Sequence, residues 1–148
     1  MIITFCGHRH FYESEELLKV KVLRILNEIN EDNISFYLGG YGGFDWLARE
    51  CVKEYKKTHS NCSACFISPY LRPSFLKRYE EAKVYDEIVF AEIEKTPPQY
   101  AILERNKWMV KKADIVIAYV KYEFGGAYKT YEYAKKKGKT IYNIHELT

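Results

Sequence analysis

Seven of the chain's eight glycines fall directly behind a short apolar run or in the loop that follows one: Gly7, Gly39, Gly40, Gly42, Gly43, Gly125 and Gly126. A glycine turn between a strand end and a helix start exposes backbone N–H groups, and such a turn favours an anion. Turn-making alone would explain any one of these loops. Three of them narrow the choice of fold, because a shared role requires a topology that gathers them at one edge. A parallel sheet with crossover helices does this, and in such sheets ligands bind beyond the carboxyl ends of the strands.

The rest of the chain fits that topology. Apolar runs at 2–6, 34–38, 63–68, 85–90, 115–120 and 140–144 read as strands. Leu18, Val22, Ile25, Leu26 and Ile29 form the core stripe of a first helix, with Ser14 as its cap and Glu15 and Glu16 in its first turn. Asn33 closes the turn before the second strand. A helix behind Gly43 carries Phe44, Leu47, Ala48, Cys51 and Tyr55 on one face. Residues 74–83 give a weaker pattern, read as a short helix. Pro97 and Pro98 lead into a helix over 100–113, and Gly125 and Gly126 open a last helix that Gly138 stops. The expected fold is therefore α/β: one Rossmann-like doubly wound domain over residues 1–148, with a mostly parallel sheet of five to six strands.

Composition narrows the function classes. Hydrophobic residues make up 47% of 148, enough for a real core. The net charge of +3 is small and scattered, which argues against nucleic acid as a partner. No apolar run reaches membrane-spanning length, and the opening MIITFCG is too short for a signal peptide, so no membrane partner and a cytoplasmic location are expected. Cys62 and Cys65 form a single C-x-x-C, and neither they nor Cys6, His8 and His10 find the further ligands a metal site needs. No metal and no cofactor are expected, and the cysteines read as buried thiols.

The stretch from Glu104 to Gly138 carries the sharpest chemistry. Arg105 and Asn106 fall inside the apolar arc that Ala101, Ile102, Met109 and Ala113 draw on their helix. An inward charge is costly unless paired, so Arg105 points to a ligand contact or to a buried partner such as Asp114 or Asp45. Asp45 suits a ribose hydroxyl, or equally its own helix N-terminus. Arg9 suits a phosphate, and His8 is a hydrogen-bond partner or a turn residue. Tyr41, Tyr70 and Tyr128 lie in loops at the same edge, where a base would stack. Lys135, Lys136, Lys137 and Lys139 read as a match to a helix dipole rather than as a binding patch.

These motifs resemble the SLOG superfamily of Rossmann-like proteins, which includes the LONELY GUY phosphoribohydrolases, the DprA DNA-processing proteins and the YpsA-like proteins. The LONELY GUY pattern places an arginine four residues before a methionine, then P-G-G-x-G-T-x-x-E behind a strand. Here Arg105 precedes Met109, and Gly125, Gly126 and Glu132 match in register, with Phe124, Tyr128 and Lys129 replacing proline, glycine and threonine. The YpsA-like branch is similar over nearly the whole chain, through Cys6-Gly7-His8-Arg9, Gly39-Gly40-Tyr41-Gly42-Gly43-Phe44-Asp45, Arg105-Asn106 and Gly125 to Thr130.

The resemblance implies a nucleotide-derived, phosphate-containing ligand, ADP-ribose-like or a nucleoside monophosphate, held as sensor or carrier. Gly7, His8, Arg9, Gly39, Gly40, Gly42, Gly43, Asp45, Gly125, Gly126 and Lys129 would hold it. The alternative it implies is a phosphoribohydrolase that cleaves the N-glycosidic bond with Arg105 and Glu132. Glu132 lies off the packing stripe of its helix, so an ordinary exposed glutamate stands beside that role. Homodimers are common in the superfamily, and a homodimer is expected on resemblance alone.

Overall fold

Side chains of a strand alternate between the two faces of a sheet, so a central apolar strand needs a packed layer on both sides. A computed structural model, which describes residues 1–70, 77 and 85–147, meets that need with helices on each face. The strands β1 (Ile2–Gly7), β2 (Ser35–Leu38), β3 (Ser63–Ser68), β4 (Glu87–Phe90), β5 (Ile115–Tyr119) and β6 (Thr140–Asn143) form one sheet in the order β4-β3-β2-β1-β5-β6. Every pairing in it is parallel.

From β1, Ile3 and Phe5 join Phe36, Ile117 and Tyr119 in a core closed by α1 (Glu15–Ile29) and α2 (Gly43–Lys56). Their neighbours on the strands turn the other way. Cys6, Val116 and Ala118 pack with Val110 of α3 (Ala101–Lys112) and Ala134 of α4 (Gly125–Lys136), while Cys65 and Ile67 pack with Met109. This is the doubly wound α/β architecture that the alternation of patterns predicts. Its functional consequence lies between β1 and β5, where the winding reverses: the chain leaves β1 for α1 on one face and leaves β5 for α4 on the other.

Local chemistry sets the element ends. Ser14 Oγ accepts from the Leu17 N–H at 3.4 Å, and α1 stops at Asn30, whose φ of 47° is a left-handed conformation that asparagine, after glycine, tolerates best. Lys139 belongs to the expected dipole match in an unexpected way: its Nζ donates to Lys111 O and Ala113 O, capping α3 rather than its own helix. All four cysteines are free and buried, and Cys65 donates to Glu87 Oε1 at 3.2 Å. The fourth strand begins at Glu87, two residues inside the predicted run. The last ends at Asn143, because that side chain accepts from Val120 N–H at 3.1 Å and donates to Val120 O at 2.9 Å, replacing the next ladder bonds. The predicted helix at 74–83 lies, apart from Lys77, outside the described residues. Among the described residues no helix is long and apolar enough to cross a membrane.

Candidate functional site

A cavity of about 440 Å³ opens at the carboxyl ends of β1 and β5, where the sheet reverses its winding. Gly7, His8, Arg9 and His10 border it from the loop behind β1, and Tyr122, Phe124, Gly125 and Gly126 from the loop behind β5. Tyr41 and Asp45 reach it from the β2 side, and Ile102, Arg105 and Asn106 from α3. The general rule for open α/β sheets places ligands at this position.

The glycine loops divide into two kinds. Those behind β1 and β2 lock together. A Cβ on Gly7 would stand 2.4 Å from the Phe44 ring, and one on Gly43 would stand 2.3 Å from Arg9 O. The Gly43 N–H already donates to that carbonyl at 3.0 Å. Close packing, rather than an anion, accounts for glycine at both positions. The turn behind β5 differs. Gly125 has φ +90°, which excludes most side chains, yet nothing lies within 4 Å of a Cβ placed on Gly125 or Gly126. The N-terminus of α4 thus faces open space, and its first N–H groups and dipole favour an anion there.

His8 ties the two loops together. Its Nε2 accepts from the N–H groups of Lys121 at 2.9 Å and Tyr122 at 3.1 Å, so that nitrogen carries no proton. Burial and the neighbouring His145 push its pKa down, against the pull of Glu13. Arg9 is exposed, with its guanidinium 4.3 Å from the centre of the Tyr41 ring. It is a cation of the cavity rim, and the aromatic face steadies it.

Arg105 is 1% exposed. Its Nη1 donates to Gly39 O at 2.9 Å and Ile67 O at 2.8 Å, and its Nε to Asn106 Oδ1 at 2.9 Å. Asp45 is its counter-charge. Asp114, the other expected partner, is engaged by the Ile2 N–H at 2.8 Å. Burial raises the Asp45 carboxyl to about 6, although the Arg105 guanidinium and the Tyr41 N–H, 2.9 Å from Oδ2, both favour its charge. Burial and Asp45 also push the Cys6 thiol up to about 12, so it stays protonated and is no nucleophile at neutral pH.

Of the residues expected from sequence, Gly7, His8, Arg9, Asp45, Arg105, Gly125 and Gly126 do border one cavity. Gly39, Gly40, Gly42 and Gly43 do not line it, and Gly39 leaves room behind it for Arg105 and Asp45, each of which would stand 3.0 Å from a Cβ there. Lys129 and Glu132 lie elsewhere. They line a second hollow of about 390 Å³ with Lys107 and Tyr133, on the flank between α3 and α4. Glu132 is 3.5 Å from Lys135, one turn along. Sequence reasoning did not identify Asn106, Tyr122 or Phe124 as part of the site; for Asn106 the signal was its place beside Arg105 on an apolar arc.

No protein-family model matches the sequence, and no curated protein matches it. Solved structures do. DNA processing protein A from Helicobacter pylori, whose single-stranded DNA binding mode is described, superposes with a TM-score of 0.65 at 17% identity over 95% of this chain. DNA processing protein A (DprA) from Streptococcus pneumoniae gives 0.66 at 16% identity over 94%. The chain spans 63% and 48% of those two proteins' lengths. The fold is therefore the one found in DprA, a member of the superfamily that the sequence motifs resemble. This corrects the argument from net charge against nucleic acid, since a protein of the same fold binds single-stranded DNA. The physical reason is that net charge averages the whole surface, whereas a phosphate needs one local seat of N–H groups and a cation.

Proposed function

We propose that the chain binds a nucleotide-derived, phosphate-containing ligand, as sensor or carrier, in the cavity between β1 and β5. The observation that carries this reading is the α4 N-terminus. It is a glycine turn with no packing partner for either glycine, open to a cavity at the strand switch point. Phosphate would sit on that turn, with Arg9 offsetting its charge, and Tyr41 or Phe124 would stack on a base. Kinship with the YpsA-like branch is part of the proposal, since its matching motifs contribute Gly7 to Arg9, Asp45, Arg105 and Gly125 to this one edge.

Hydrolysis of an N-glycosidic bond has less support. It would draw on Glu132, which borders the other hollow, and on Arg105, which is engaged with two backbone carbonyls. A second reading, a segment of single-stranded nucleic acid, is favoured by the rim. Tyr41 is 48% and Phe124 69% exposed, with Tyr122 stacked on Phe124 at 5.4 Å between ring centres. Bases stack on such platforms without regard to sequence, and the H. pylori protein of this fold binds single-stranded DNA. Incubation with AMP, NAD, ADP-ribose and a short oligodeoxynucleotide, followed by thermal melting and chromatography for free base, separates the readings. Stabilisation by the small ligands without base release is expected. Release of base would make the protein a hydrolase, stabilisation by the oligonucleotide alone would favour the second reading, and stabilisation by none would remove the proposal.

A further inference from the structure

The floor of the cavity presents one fixed donor and one fixed acceptor. Asn106 lines the cavity, and its Oδ1 accepts from Arg105 Nε at 2.9 Å. A guanidinium only donates, so the amide oxygen must face it and the amide nitrogen must face away. That nitrogen has no hydrogen-bond partner among the described residues. The anchor is itself immobile: Arg105 is buried and held by the carbonyls of Gly39 and Ile67, at the ends of β2 and β3. Across the same guanidinium stands Asp45, whose Oδ2 accepts from the Tyr41 N–H. Its Oδ1 has no such bond among the described residues.

We infer that Asn106 and Asp45 read a sugar hydroxyl, so that the ligand is a ribonucleotide and the protein discriminates against the 2′-deoxy form. The inference rests on the ligand reading above and narrows it. A hydroxyl both accepts and donates, which matches an amide N–H and a carboxylate oxygen that line the same cavity. A phosphate does not match, because the carboxylate would repel it. The placement agrees with the parts of a nucleotide. The anion seat is on the β5 side, Asp45 and Asn106 lie across the cavity on the β2 and α3 side, and a ribose joins phosphate to base. Arg105 acts through Asn106 and Asp45 as a positioning residue, touching neither hydroxyl nor phosphate.

The test is calorimetric titration of the full chain with AMP, 2′-deoxy-AMP and ribose 5-phosphate, in the wild type and in Asn106→Asp, Asn106→Ala and Arg105→Lys. Asn106→Asp keeps an oxygen for Arg105 and replaces the donating nitrogen, so it removes the contact with the least disturbance of packing. The wild type is expected to prefer AMP over 2′-deoxy-AMP by about tenfold or more, the scale of one hydrogen bond left unmade in a buried site. Ribose 5-phosphate, which lacks a base, is expected to bind too. Both Asn106 variants should bring the ratio to within about twofold, and Arg105→Lys should lower it, while melting temperatures confirm that each variant is folded. A merely structural Arg105 would change the melting temperature and leave the ratio alone. If no ligand binds the wild type, the ligand reading fails and this inference with it. If AMP binds but the ratio is near one, or persists in both Asn106 variants, the inference alone fails. Equal binding of AMP and 2′-deoxy-AMP without ribose 5-phosphate would show that a base edge is read instead.

Discussion

Replacing Asp45 with asparagine should stabilise the folded protein at neutral pH. The carboxyl titrates at about 6 in the folded chain, against 3.8 for an ordinary aspartate, with burial as the first cause. Below pH 3.8 it is protonated in both states and costs nothing. As pH rises through about 6, the unfolded chain has already ionised while the folded one must be driven to, so stability is lost over that window. The gap is about two pH units, and at 1.36 kcal/mol per unit the loss approaches about 3 kcal/mol above pH 6. That is an upper limit, since the side chain is partly open to the cavity. Asparagine retains an oxygen for the Tyr41 N–H and removes the titration. Urea unfolding of wild type and Asp45→Asn from pH 4 to 8 gives the difference curve directly. It should be near zero at the acid end, rise in favour of the variant toward pH 6, and level off, with the variant melting about 5–10 °C higher at pH 7. A variant of equal or lower stability at pH 7 would refute the reasoning, and would mean that the Asp45–Arg105 attraction outweighs the desolvation of the carboxylate. The predicted sign marks Asp45 as a group retained at a cost in stability, as expected where a charge serves a site.

Other perturbations separate packing from binding. Gly7→Ala drives a methyl into the Phe44 ring and should cost about 1–3 kcal/mol in urea unfolding, whereas Gly126→Ala, with open space around it, should leave stability within about 0.5 kcal/mol. Removing Arg105 with Arg105→Met should cost about 3–5 kcal/mol, because Gly39 O and Ile67 O lose their donor and Asp45 its counter-charge. His8 is held neutral by two N–H donors, and its folded pKa lies below the ordinary 6.5. The unfolded chain therefore takes up this proton first, and stability should fall as pH drops below 6.5, an effect that His8→Gln should abolish in the same urea series. Glu132→Ala should leave the affinity for AMP within about twofold, since Glu132 borders the other hollow.

The fold was legible because its determinants are local. Short apolar runs, helical spacing and glycine turns each announce an element, and the parallel topology follows from their alternation. Arg105 was legible for the same reason: a charge on an apolar arc must have a partner inside. Which partner it takes was not, since Asp45 and Asp114 lie 60 and 9 positions away and only packing chooses between them. The glycines misled in part. Gly7 and Gly43 share the sequence signature of Gly125 and Gly126, but the first pair makes room for Phe44 and Arg9 while the second opens onto the cavity. Glu132 matched a motif in register with Gly125, yet seven residues are about two helical turns, which set it about 10 Å along α4 from the glycine turn, at the hollow it shares with Lys107. The role of Asn106 was hidden because it depends on the guanidinium fixing its amide.

The central claim is that an anion sits on the glycine turn that opens α4. Calorimetric titration of ADP-ribose into wild type and Gly126→Asp tests it most directly, because a side chain at that position meets nothing within 4 Å and brings a negative charge to the proposed seat. Binding by the wild type and its loss in a folded Gly126→Asp is the predicted result. Equal affinity in the two proteins would place any bound anion elsewhere and contradict the account.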